Sequence, residues 1–342
     1  MQRIIMPFFV AVFISFIITP LVRKFAFRIG ALDIPKDERR VHKEPMPLIG
    51  GIAIYIGVVV SCLMFLSMDK TLISILIGGT IILISGIIDD LKGLSPKKKM
   101  LFQLLAGLVL IIGDVKIDFV TNPFTDNNAV IYLKWLSIPI TLFWVVGITN
   151  TLNLIDGLDG LAAGVAMISS LSLTLVAQKF GYDTVVIMSA IVAGGCLGFL
   201  RFNFNPAKIF MGDTGALLLG YMLAVTSVSG MVKSVAAVAL AVPVFALGLP
   251  IFDTAFAIIR RYINKKPIMQ ADKEHLHHRL MRYGLNQRQT VLIMYFISML
   301  LGIVAVIIAD TDPFTGIAVA TIVVIVAFFS AKKAGLFVRK EQ

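Results

Sequence analysis

Apolar residues along this chain run in stretches of about 17–22 positions, the length a helix needs to cross a hydrocarbon layer, broken by short polar connections. The pattern predicts spans at about 4–22, 49–67, 71–88, 100–113, 135–152, 161–178, 184–200, 214–231, 234–256, 289–309 and 314–330, the fourth of them shorter than the rest. The expected fold is an all-α integral membrane protein of about eleven transmembrane helices, forming a single polytopic domain over residues 1–342. The segment 114–134 is the exception. It holds two strand-like runs, 115–120 and 129–135, around Asn122-Pro123 and Asp126-Asn127-Asn128, and predicts a small β-hairpin on the outer surface.

Composition agrees with the pattern. Hydrophobic residues make up 58% of the 342 and charged ones 15%, more apolar side chain than a soluble core takes up. The net charge of +11 does not require a nucleic-acid partner. Of the 31 lysines and arginines, 25 fall in the segments 23–48, 89–99, 201–213, 257–288 and 331–342, and six fall elsewhere. Basic residues mark cytoplasmic connections and meet the headgroups of membrane lipid there, so the amino end is expected outside and the carboxyl end inside. Only Arg3 precedes the first stretch, and Arg23, Lys24 and Arg28 follow it, which predicts a retained span rather than a cleaved leader. Cys62 and Cys196 lie in apolar runs and read as small buried hydrophobes.

Leaving out the tail, five connections are expected on the inner face, 23–48, 89–99, 153–160, 201–213 and 257–288, and four of them carry dense polar clusters, which points to a site on that face. Asp89-Asp90 close the third span; two adjacent carboxylates repel unless a cation is near, and on a helix they point about 100° apart. The bland alternative is a solvated helix end, followed by the topogenic Lys92, Lys97, Lys98 and Lys99. In the run 150–164, Asn150, Asn153, Asp156 and Asp159 recur every third position. Gly157 and Gly160 are expected to break the helix there, freeing backbone N–H groups for an anion or a base edge; capping side chains are the plainer reading. Asp213 precedes the eighth span, either as a helix cap or as a ligand. Phe210, among polar residues, is a stacking platform or a membrane anchor. In the longest connection, His275, His277, His278 and Arg279 suit phosphate or sugar oxygens better than zinc, for which no fourth ligand is near.

Taken together, Asp89-Asp90, Asn153-Leu154-Ile155-Asp156-Gly157-Leu158-Asp159-Gly160, Phe210-Met211-Gly212-Asp213 and His275-Leu276-His277-His278 resemble the motifs of the polyprenyl-phosphate N-acetylhexosamine-1-phosphate transferases. The intervening Leu276 is similar to the enzymes that start teichoic-acid or O-antigen-type polymers, whereas the phospho-muramyl-pentapeptide transferases typically carry three consecutive histidines. The resemblance implies that undecaprenyl phosphate and UDP-GlcNAc give undecaprenyl-pyrophosphoryl-GlcNAc and UMP, with Mg²⁺ or Mn²⁺, at the plasma membrane. It implies that Asp213 binds the metal with Asp89 and Asp90 beside it and the lipid phosphate. Gly157, Leu158 and Asp159 would recognise uracil and Phe210 would stack on it. Asn150, Asn153, Asp156 and Lys99 would line the same pocket, with His275, His277, His278 and Arg279 on the sugar and pyrophosphate side. It leaves another UDP-HexNAc or UDP-MurNAc-pentapeptide as alternative donors, and a homodimer open.

Two anions must meet in such a reaction, so positioning and charge neutralisation are the main requirements. Direct attack by the lipid phosphate is expected; a covalent aspartyl intermediate on Asp89 or Asp90 is the other route. A transporter or lipid flippase is the rival class, but it calls for polar residues near the bilayer midplane, where these spans are nearly all apolar.

Overall fold

A computed structural model describes residues 2–34, 45–121, 130–231, 241–265, 267 and 274–333. The chain is mostly helical: α1 (Gln2–Ile29), α2 (Gly51–Phe65), α3 (Lys70–Lys92), α4 (Pro96–Ile112), α5 (Ser137–Ile155), α6 (Leu161–Lys179), α7 (Asp183–Asn203), α8 (Gly212–Met231), α9 (Ala241–Ala246), α10 (Gly248–Ile263), α11 (Leu276–Arg282), α12 (Gln287–Asp310) and α13 (Pro313–Lys333). Among the described residues seven of these, α1, α3, α5, α6, α7, α12 and α13, are long and apolar enough to cross a membrane. The other expected spans differ for separate reasons. The helices α2 and α4 are only 15 and 17 residues long. The ninth stretch divides at Leu247 into α9 and α10, and its first part, 234–240, lies outside the described residues.

Helix α8 is the axis of the bundle. Its residues 216–225 are almost wholly buried, and α2, α3, α5, α6 and α7 pack around it. A helix enclosed by other helices needs no apolar coat, which is why α8 can carry glycine, serine and threonine. Small residues also let backbones approach: a Cβ on Gly86 of α3 would lie 2.6 Å from Thr214 N at the start of α8. This contact sets the end of α3 directly against the first turn of α8. The two helices are also tied halfway along α8 by Tyr221 Oη, which donates to Ile75 O at 3.1 Å.

Two small antiparallel pairs complete the fold. Strand β1 (Leu32–Asp33) pairs with β2 (Met46–Pro47), between α1 and α2. Strand β3 (Phe119–Thr121) pairs with β4 (Val130–Tyr132), and their connection, 122–129, lies outside the described residues. Exposed ion pairs such as Lys70–Asp114 (2.9 Å) lie at the β3–β4 end of the bundle and add little stability.

Candidate active site

The carboxylate cluster forms where the last turn of α3, the first turns of α4 and α8, and the end of α5 converge. Lys99 Nζ is held between Asp89 Oδ2 and Asp213 Oδ2. Asp213 Oδ1 also accepts from Asn153 Nδ2 at 3.2 Å, and Asp89 Oδ1 accepts from Leu94 N at 2.5 Å. Asp90 points elsewhere. Its Oδ1 accepts from Asp213 N (2.9 Å) and its Oδ2 from Thr214 N (3.0 Å) and Thr214 Oγ1 (2.5 Å). Asp90 therefore caps α8 from a neighbouring helix, where free N–H groups and the positive end of the helix dipole favour a carboxylate. The two aspartates do diverge, as adjacent helical positions must. Both oxygens of Asp90 face the α8 terminus, whereas Asp89 turns to Lys99.

Helix α5 continues through Asn150 and Asn153 and ends at Ile155. The turn 156–160 follows, and Gly160, at φ +78°, takes a left-handed conformation that favours glycine before α6 begins. Phe210 is placed by backbone pairing: its N donates to Pro47 O (2.8 Å), and Gly50 N donates to its carbonyl (3.1 Å). Between these two loops lies a cavity of about 280 Å³. Asp156, Gly157, Leu158 and Asp159 form one wall and Phe210 to Asp213 another, with Asp90 at the base. Asp156 accepts no hydrogen bond among the described residues. Burial, with the charges of Asp213, Asp90 and Asp159 added, pushes its carboxyl up to about 8. Such a group stands where a cation is wanted.

The histidine segment is built on Asp253, buried in α10. Asp253 Oδ2 lies 2.7 Å from His275 Nδ1, and its Oδ1 accepts from Leu276 N at 2.9 Å, so that it caps the short α11. His277 is 1% exposed, and neither of its ring nitrogens has a partner among the described residues. Burial, reinforced by His278, holds it down at about 4, so it is neutral at ordinary pH. Its ring lies on the cavity turn: a Cβ on Gly157 would be 2.5 Å from His277 Nε2. Arg279 and Arg282 both reach Glu274, at 3.1 and 2.6 Å.

The structure thus brings Asp89, Lys99, Asn153, Asp156, Gly157, Leu158, Asp159, Phe210 and Asp213 to one place, with His277 on its rim. Asn150 exchanges hydrogen bonds with Gln103 across α4 and α5 (2.7 and 3.3 Å) and is not in the cavity wall. His275, His278 and Arg279 are likewise outside that wall. Sequence reading missed Asp33, Leu48, Asn203 and Met211, which line the cavity. Asn203 left a signal, a polar side chain just after an apolar span, and its Nδ2 holds Ile209 O at 2.9 Å, shaping the approach to Phe210. Asp253 left a stronger one, since a carboxyl inside an apolar stretch has a partner or a task.

Comparison with known proteins completes the picture. Residues 72–231, which hold all of this cluster except Asp33, Leu48 and the histidine segment, match the family described as glycosyl transferase family 4. The chain is similar to a probable undecaprenyl-phosphate N-acetylglucosaminyl 1-phosphate transferase of Bacillus subtilis, 42% identical over 337 residues, covering 98% of this chain and 93% of the relative. It is similar to a decaprenyl-phosphate N-acetylglucosaminephosphotransferase of Mycolicibacterium smegmatis, 34% identical over 93% of this chain and 85% of that one. A phospho-N-acetylmuramoyl-pentapeptide-transferase of Acetivibrio thermocellus is 48% identical, but over only 29% of this chain and 30% of its own. Identity sustained from end to end, on a chain whose cavity gathers the motif residues, shows that this membrane protein belongs to glycosyl transferase family 4.

Proposed function

We propose that the protein transfers N-acetylglucosamine 1-phosphate from UDP-GlcNAc to undecaprenyl phosphate, releasing UMP, as the first membrane step of a cell-wall polymer such as teichoic acid. The observation that carries this reading is the placing of a base-sized cavity beside the Asp89–Lys99–Asp213 cluster. A nucleotide lying between Phe210 and the 157–159 turn would present its pyrophosphate to that cluster. The full-length similarity to the Bacillus subtilis relative, whose name states this donor sugar and lipid, supports the same choice.

The eleven-crossing topology belongs to this reading. In it the seven long helices, together with α2, α4, α8 and α9–α10, cross the membrane with the cluster residues at one end, and the uneven spread of basic residues supports a cytoplasmic position for that end. A cysteine introduced beside Lys179 is expected to be labelled by an impermeant reagent on intact cells, and one beside Arg288 only after lysis. The opposite pattern would reverse the orientation.

In the reaction, an oxygen of the lipid phosphate attacks the β-phosphorus of UDP-GlcNAc. The bond from that phosphorus to the oxygen bridging it to the α-phosphorus breaks, and UMP leaves. A phosphate monoester is largely ionised above about pH 6, so no strong base is required. Lys99, fixed by two carboxylates, offers its charge to the meeting phosphates, and Asp90 fixes Asp213 by holding the first turn of α8. The carboxylates could take a divalent cation together with substrate phosphates: Asp156 accepts no hydrogen bond among the described residues, and Asp213 and Asp89 keep lone pairs beyond those used on Lys99 and Asn153. Mg²⁺ characteristically takes one or two carboxylates, substrate phosphates and water, so Asp213 and Asp156, with Asp89 adjacent, would hold it. Bound there, the cation would neutralise charge on the pyrophosphate. UMP release is expected to need both substrates, to stop in excess EDTA and to return with Mg²⁺ or Mn²⁺. Undiminished release in EDTA would remove the metal from the account.

Phe210 gives a narrower check. Stacking of a base on an aromatic ring is worth about 1–3 kcal/mol, so Phe210→Ala is expected to raise the KM for UDP-GlcNAc about tenfold and leave that for undecaprenyl phosphate nearly unchanged. An unchanged KM for UDP-GlcNAc would return Phe210 to the role of membrane anchor.

A further inference from the structure

The wall of the cavity is fastened from behind by a residue that carries no motif. Asn205 lies in the connection between α7 and α8. Its Nδ2 donates to Asp159 Oδ2 at 3.0 Å and to Gln287 Oε1 at 2.8 Å. Its own oxygens are held by the first turn of α12: Arg288 Nε donates to the Asn205 carbonyl at 3.0 Å and to its Oδ1 at 3.2 Å. Ala207 N adds a second donor to the same Asp159 Oδ2, at 3.1 Å. Tyr295 Oη, two turns further along α12, donates to Gly160 O at 2.5 Å, so the turn is held at both sides. Among the described residues both hydrogen bonds to the Asp159 carboxylate fall on Oδ2, and Oδ1 accepts none.

We propose that Asn205, with Gln287 and Arg288, is the positioning unit that makes the donor site selective for uracil, by immobilising Asp159 with one oxygen turned to the cavity. The inference rests on the nucleotide reading given above. Uracil presents an N3–H donor between two carbonyl acceptors, so a carboxylate oxygen fixed opposite N3 accepts from it. Cytosine presents a lone pair at N3 and an amino group beside it. A carboxylate free to shift by the spacing of those two edge positions would accept from the amino group instead. Selectivity between the two bases therefore depends on how rigidly the carboxylate is held, and not on its charge alone. Two hydrogen bonds to Asp159 Oδ2 from the α7–α8 connection, and three that tie Asn205 to the first turn of α12, supply that rigidity.

The test uses the purified full-length protein and reads four quantities: KM for UDP-GlcNAc, KM for undecaprenyl phosphate, kcat, and inhibition by UMP relative to CMP. Arg288 is exposed, so Arg288→Ala removes the anchor without opening the core. Arg288→Ala and Asn205→Ala are each expected to raise the KM for UDP-GlcNAc about fivefold or more and to narrow the preference for UMP over CMP by about tenfold. The KM for undecaprenyl phosphate should stay within about twofold, and Arg288→Lys, which keeps a charged donor, should restore most of the base preference. Arg288→Ala decides the matter if Asn205→Ala does not fold. A wild-type ratio of UMP to CMP inhibition in Arg288→Ala overturns the inference, whatever happens to kcat or thermal stability. A wild-type protein that uses no UDP-sugar and binds UMP no better than CMP overturns the nucleotide reading itself, and the inference with it.

Discussion

Asp213→Asn is expected to lose about a hundred- to a thousandfold in kcat, the range found when one preorganised group facing developing charge is removed. The amide keeps the shape and can still meet Asn153, but it no longer pairs electrostatically with Lys99 or offers two anionic oxygens to a divalent cation. Because Asp213 sits in the first turn of α8 and not within its buried stretch, the protein should still insert and fold. Thermal unfolding in detergent should therefore be close to wild type. Full activity of Asp213→Asn at limiting Mg²⁺ would take this residue out of the chemistry.

The adjacent aspartates are expected to fail in different ways. Asp90→Ala strips the cap from α8 and leaves Asp213 N, Thr214 N and the Thr214 hydroxyl without their acceptor. Loss of a helix cap costs about 0.5–2 kcal/mol, so in a chain of this length the unfolding midpoint should fall by about one to three degrees and activity should fall with it as Asp213 loosens. Asp90→Asn keeps one carbonyl acceptor and should be intermediate on both counts. Asp89→Asn loses the partner of Lys99 but no helix cap. Its activity should drop strongly while its midpoint stays near that of the wild type. Equal loss of stability in both single variants would contradict the division of roles.

How much of this was legible beforehand can be traced residue by residue. The apolar runs placed the helices because period and length are local properties. They failed at α9–α10, where the expected continuous span divides at Leu247. They also stopped the third span at 88, whereas α3 runs to Lys92 and carries both aspartates in its last turn. Asp89, Lys99 and Asp213 were legible as a group, since charge at the ends of apolar helices is costly and restricts what can pair. Which carboxylate meets the lysine and which caps α8 depends on helix rotation and on the close approach of Gly86 to Thr214. No spacing within one segment contains that information. Asn150 shows the same limit in reverse: the resemblance implied a shared pocket with Asn153, yet a step of three turns about 60° back around the helix, and Asn150 meets Gln103. Asn205 was invisible as a functional residue because its meaning lies in α12, more than eighty positions away.

The identity of the lipid product tests the central claim most directly. Purified protein incubated with undecaprenyl phosphate, Mg²⁺ and each of a panel of UDP-sugars should yield undecaprenyl-pyrophosphoryl-GlcNAc from UDP-GlcNAc, with one UMP released for each lipid formed. Mass analysis distinguishes this from a lipid carrying a single phosphate between chain and sugar, which would be accompanied by UDP. That second product, or no lipid-linked sugar from any donor in the panel, would contradict the account.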